Sequence, residues 1–244
     1  NSDSPSLSGL NLPTITVQTD ADENLDIVDS TTFTGALRVL QGGVDVISSD
    51  FSPLNEGQDV IIQLNHNGNS PITAQSGATF NALNTKYDLT YTGEMGADYT
   101  IGSEFTNVRN ATISLNSAVG TVDTLFFDGG LTVRGDLEID SSATPIYIRN
   151  KDADEDIDRD TITVVGALKI FAADSDSLVT IGAHEDTLMF NLTGASQTHS
   201  ISAITRARIN SEVAPMIISS GSGSVVSSES PRFNADIIVS NTLA

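Results

Sequence analysis

The sequence contains no cysteine and no tryptophan. Without thiols there is neither a disulfide framework nor a thiolate metal centre. Such a chain suits a reducing interior, or a secreted protein that relies on other staples. Phe and Tyr supply the whole aromatic content, 5% of the residues, which is thin for a compact enzyme core. No run approaches the roughly 18 apolar residues needed to cross a bilayer, so membrane insertion is not expected. Only three lysines occur, Lys86, Lys151 and Lys169.

That scarcity of bases leaves a net charge of −21. A nucleic-acid partner is excluded on this ground, because such binding releases counterions by way of a basic surface. Anionic membranes are disfavoured likewise. Asp outnumbers Glu by 23 to 9. Asp is a residue of turns and of calcium loops, and an Asp-rich, Lys-poor chain resembles proteins of salty habitats.

No catalytic motif stands out. His66, His184 and His199 form neither HExxH nor HxH. There is no GxSxG, no P-loop and no GxGxxG. A β-helical polysaccharide-degrading enzyme would work through a pair of carboxylates, and 32 acids give no means of selecting one.

What is present is a succession of short β signals. "TITV" (14–17), "ALRVL" (36–40), "VIIQL" (60–64), "ATISL" (111–115), "LTVRGDLEI" (131–139), "IYI" (146–148) and "ALKIF" (167–171) are strand-like. They are bounded by Gly, Asn, Asp and Ser, and no window carries a clear helical stripe. The expectation is an all-β fold without substantial helix. It is either β-solenoid-like or a jelly-roll-like β-sandwich, built from strand–Gly–strand units. The chain divides into an N-terminal arm (1–13) and a β domain (14–218). That domain has two possible related halves, 14–120 and 121–218. A Ser/Gly linker (219–232) and a C-terminal strand (233–244) follow. A first residue Asn1 rather than Met reads as a processed chain, with a signal peptide or pro-segment removed.

Three segments share an Asp six residues before a Gly: Asp29 and Gly35, Asp123 and Gly129, Asp160 and Gly166. A weaker fourth copy begins at Asp186. "DADENLD" (20–26) also matches "DADEDID" (152–158), and both lead to "GAL". The alignment puts two acidic turns at one place in a repeated unit. The copies are unevenly spaced, which fits coils of about two dozen residues carrying insertions. "GGLTVRGDLEIDSS" (129–142) resembles the strands of secreted β-solenoid surface proteins and phage fibre segments. The resemblance implies a structural or adhesive role.

The acidic turns are the candidate metal sites. Calcium takes about six to eight hard oxygens, and Asp at alternate positions supplies them. Asp152, Asp154, Asp156, Asp158 and Asp160 have that spacing, as do Asp20, Asp22, Asn24 and Asp26. Neither run is an EF-hand: Ile157 and Leu25 stand where Gly is needed, and Thr163 and Thr31 where Glu is needed. The other reading is a solvated acidic turn. Two glycosylation sequons complete the candidates, at Asn110 and Asn191.

These features converge on a non-enzymatic extracellular, cell-surface or virion-surface protein. It would assemble with copies of itself as a fibre, sheath, surface layer or capsid decoration, with calcium as cofactor. The alternatives are a carbohydrate-binding adhesin module that engages surface glycans, and a β-helical polysaccharide-degrading enzyme.

Overall fold

The computed structural model describes residues 6–20, 23–47, 50–54, 58–63, 71–105, 107–117, 121, 123–127, 130–141, 146–150, 161–172, 179–181, 189–193, 198–203, 208–210, 217–219, 224–228, 232–234 and 237–239. Among these residues the only helix is a single 3₁₀ turn, Ser103–Phe105. The rest of the regular structure is short strands.

Every described strand pairing is parallel, and no hairpin occurs among the described residues. The chain runs along Ile15–Gln18, then Asn24–Ile27, then Thr31–Phe33, and returns as Leu37–Gln41 beside its starting strand. The circuit repeats through Gly43–Val46, Asp50–Pro53 and Gln58–Gln63. Parallel neighbours joined by such circuits have a β-solenoid-like form. A jelly roll needs antiparallel pairs, so the sandwich alternative does not fit these sheets.

One wall is continuous. Its nine strands run in order from Ile15–Gln18 to Ser224–Ser228. The second and third walls are each divided in two. Sheets of four strands serve the N-terminal coils, and sheets of six and five strands serve the C-terminal coils. The division falls at one coil. There the strands Tyr87–Met95 and Tyr99–Thr100 are followed by the 3₁₀ turn and then by Val108–Ser117.

Side-chain alternation explains the walls. In Ile15–Gln18, Ile15 and Val17 are buried while Thr16 and Gln18 are exposed. Parallel stacking then sets like on like. Ile15, Leu37, Val60, Leu89, Ala111, Leu137 and Leu168 form one in-register column, and all are buried. A second interior feature is a file of rings. Phe33 meets Phe51 at 5.1 Å, Phe51 meets Phe80 at 5.9 Å, and Phe80 meets Tyr87 at 5.9 Å. Nine aromatics of the described residues are buried.

Segments outside the expected β domain take part in the sheets. Ser6–Leu7 pairs with the strand Asn24–Ile27, and Asn11–Leu12 pairs with Thr31–Phe33. Ser224–Ser228 pairs with Thr198–Ala203, while Arg232–Asn234 and Ile237–Val239 join two different sheets.

Candidate functional site: the acidic turn and the corner ladder

The stretch 152–160 lies outside the described residues, and with it Asp152, Asp154, Asp156, Asp158 and Asp160. The strands that flank it are Ile146–Asn150 on the second wall and Thr161–Val164 on the third. The N-terminal acidic run follows Ile15–Gln18 on the continuous wall and leads into Asn24–Ile27 on the second. The two runs therefore belong to different corners of the coil. This corrects the expectation from their matching letters.

Around Asp20 the turn is built locally. Glu23 donates its N–H to the Asp20 carbonyl at 3.0 Å, and the Thr19 hydroxyl donates to the Glu23 carbonyl at 2.5 Å. Gly42 of the next coil packs on this turn with a positive φ of 76°. A Cβ there would strike the Thr19 hydroxyl and the Glu23 carbonyl, so glycine is required twice over. Asp20 is exposed, and Asp22 lies outside the described residues.

Asn24 and Asp26 alternate with the buried Leu25 and Ile27, so they stand on the outer side of the strand. Asp26 is in register with Asp45 of the next coil. Burial raises the Asp26 pKa above the ordinary carboxylate value, and the Asp45 charge adds to the rise. These two acids form a stacked like-charge pair. Among the described residues no group of three or more His, Cys, Asp or Glu gathers as a metal would require.

Asn110 belongs to a different arrangement. Asp88, Asn110, Asp136 and Ala167 each precede a residue of the buried column Leu89, Ala111, Leu137 and Leu168. The side chains of Asp88, Asn110 and Asp136 form a ladder up the corner, ending on the Ala167 amide. Asp88 Oδ1 accepts the Asn110 N–H at 3.3 Å, Asn110 Oδ1 accepts the Asp136 N–H at 2.9 Å, and Asp136 Oδ1 accepts the Ala167 N–H at 2.8 Å. Asn110 Nδ2 also donates to Asp88 Oδ1 at 2.9 Å. The amide nitrogen that a glycan would occupy is thus already a donor within the ladder. Asn191, the other sequon, lies half-buried in Met189–Leu192, in register with Thr163 and Ile218.

Bases neutralise the ladder from outside. Arg109 grips Asp88 with Nε at 2.7 Å and with Nη2. Lys169 Nζ donates to Asp136 Oδ2 at 2.9 Å. Burial pushes the Asp88 pKa up, but the Arg109 contacts and the Asn110 bonds outweigh it and hold the carboxyl below its usual value. Lys169 is raised, first by its bond to Asp136 and then by the charges of Asp136 and Glu138.

His66 and His184 lie outside the described residues; His199 is in the strand Thr198–Ala203, in register with Val225. One group escaped the sequence reading. Glu104, in the 3₁₀ turn, is wholly buried among Tyr87, Tyr91 and Tyr99. Its signal was the crowding of three of the four tyrosines into residues 87–99.

Comparison with known protein families, with curated proteins and with solved structures gives no significant match.

Proposed function

We propose that this chain is a non-enzymatic structural protein of the extracellular space, a cell surface or a virion surface. It assembles with copies of itself by strand pairing. The observation that carries this reading is the sheet order. Among the described residues the nine-stranded sheet is bounded by Ile15–Gln18 at one side and Ser224–Ser228 at the other, and both are parallel strands. An edge strand presents backbone donors and acceptors to any strand of the same pitch, and a second copy supplies one.

Calcium is the proposed staple. Asp152, Asp154, Asp156, Asp158 and Asp160 would supply one oxygen-rich set, and Asp20, Asp22, Asn24 and Asp26 another. The stacked Asp26–Asp45 pair supports a need for a cation there, because burial and the Asp45 charge disfavour the ionised Asp26 carboxylate. Electron microscopy of native material with and without chelator tests the proposal. Fibres, sheets or decorated particles that come apart in chelator are expected. Monodisperse particles in both conditions defeat it.

A second reading, a glycan-binding adhesin, draws on the outer row of the continuous wall. Thr16, Arg38, Ile61, Thr90, Thr112, Glu138 and Lys169 stand in register there. Mixed hydroxyls and charges at the roughly 4.8 Å strand spacing suit a polymer of sugar hydroxyls. Glycan-array binding separates this reading from the first.

A further inference from the structure

Among the described residues only the continuous wall runs unbroken through the coil formed by Tyr87–Met95, Tyr99–Thr100 and the 3₁₀ turn. The second wall ends at Ile72–Ala74 and begins again within this coil, at Tyr99–Thr100, while the third ends at Thr79–Phe80 and begins again beyond it at Leu131–Val133. The seam is held from within by polar groups. Tyr91 donates its hydroxyl to Glu104 Oε1 at 2.8 Å, Tyr99 donates to the same oxygen, and the Gly102 N–H donates to it at 3.1 Å. Tyr87 donates to the Glu104 carbonyl. The turn is thereby tied to both strands of its coil. Glu104 Oε2 is buried and has no hydrogen-bond partner.

The two carboxyl oxygens are thus sharply unequal. One accepts three donors and the other none. That is the pattern of a neutral acid, with Oε1 as carbonyl and Oε2 as hydroxyl. An ionised carboxylate would spread charge onto an oxygen that nothing solvates. The groups described as facing Glu104 are neutral donors and carry no positive charge. Tyr87 and Tyr91 come from one strand, Tyr99 from the next, and Gly102 from the approach to the turn. The strand Ile72–Ala74, which packs on the turn, carries no titratable side chain.

We propose that Glu104 carries a proton in the folded chain and acts as a latch across the seam, released as the medium becomes alkaline. Release loosens the junction between the two stacks of coils while leaving their strands paired. Burial supports the direction, raising the Glu104 pKa above the ordinary carboxylate value against the opposing pull of Tyr99, Gly102 and Tyr91. Burial raises Tyr91 well above the usual phenol value, which keeps it a donor. A carboxyl raised on folding contributes stability that is present below its unfolded pKa. That contribution is lost as pH rises through the folded pKa.

The chain carries its own reporter. It has four tyrosines and no tryptophan, and three of the tyrosines surround Glu104. The experiment is a pH titration of tyrosine emission in the full chain, with far-ultraviolet circular dichroism and thermal midpoint followed in parallel. In the wild type, the midpoint declines from the ordinary carboxylate range upward and levels off where emission falls in a one-proton step, above that range and below phenol ionisation. The strand signal persists through that step. In Glu104→Gln, which keeps the shape without the charge, the step is absent. Identical profiles for the two proteins overturn the proposal. If Glu104→Gln does not fold, infrared spectra of the wild type decide. A protonated-carboxyl band that disappears together with the emission step sustains the latch, and the absence of such a band above the ordinary carboxylate range overturns it.

Discussion

Gly166 lies directly on Gly135, donating its N–H to the Gly135 carbonyl at 2.8 Å. A Cβ on Gly166 would come to 2.5 Å from that carbonyl oxygen. Gly35 is placed alike over Pro13, whose carbonyl carbon would be 2.8 Å from an added Cβ. The obstacles are backbone, so they cannot swing aside. Gly35→Ala and Gly166→Ala are each expected to lower unfolding free energy by about 1–3 kcal/mol, the usual range for overpacking. Gly130 is the control, because its nearest obstacle is 3.7 Å away, at ordinary contact. Denaturant midpoints check the difference, and equal midpoints for all three variants contradict it.

The corner ladder gives a second expectation. Asp136 accepts the Ala167 amide through Oδ1 and the Lys169 ammonium through Oδ2. Asp136→Ala abandons both donors and is expected to cost on the order of 1 kcal/mol, the low end for an abandoned donor, since the site is partly exposed. Asp136→Asn retains an acceptor for the amide and is expected to cost less. Chemical denaturation ranks the two, and the reverse order rejects the ladder as a stabilising element.

Asp88 sets a pH dependence on the acid side. Its folded pKa lies below the ordinary value because Arg109 and Asn110 overcome burial. A depressed carboxyl contributes stability that is present above its unfolded pKa and is lost as pH falls through the folded value. The wild type is therefore expected to lose stability on acidification more steeply than Asp88→Asn. Thermal midpoints from neutral pH downward test this, and parallel acid limbs refute it.

Much of the fold was legible, and the reason lies in particular residues. The alternation of Ile15 with Val17 and of Leu37 with Val39 marked strands, because burial on one side is a property of the strand itself. "GAL" at Gly35 and at Gly166 marked one corner, since Leu37 and Leu168 stand in the same column. The third member of that set is Gly135, two residues before Leu137, rather than the Gly129 suggested by the Asp-to-Gly spacing. Spacing failed because corner length varies. The column steps from Ile15 to Leu37 to Val60 nearly evenly, then lengthens to Leu89, and again between Leu137 and Leu168. Insertions at corners leave the walls in register while shifting every count along the chain. Matching acidic letters misled for the same reason. Glu104 was hidden by its neighbours: "GSEF" reads as a surface turn, and only the fold brings distant hydroxyls around its carboxyl.

Removal of calcium provides a fourth expectation. Chelation is expected to lower the thermal midpoint, since a ligand bound only by the folded state adds about 2.7 kcal/mol at a hundredfold excess over its Kd. Replacing Asp152, Asp154 and Asp156 together by Asn is expected to abolish the chelator effect of that loop. An unchanged midpoint in chelator removes calcium from the account.

Self-assembly through edge strands is the central claim, and Thr16 offers the most direct test. Ile15 donates its N–H to Ala36, on the inner neighbour. Strand alternation turns the Thr16 amide to the opposite, outer edge. Thr16→Pro removes that donor, and proline is tolerated on an edge strand. Sedimentation velocity of both proteins over a range of concentrations in calcium is the measurement. The account predicts larger species that grow with concentration for the wild type and are diminished for Thr16→Pro. A wild type that sediments as a monomer throughout, or a Thr16→Pro protein that assembles equally well, contradicts it.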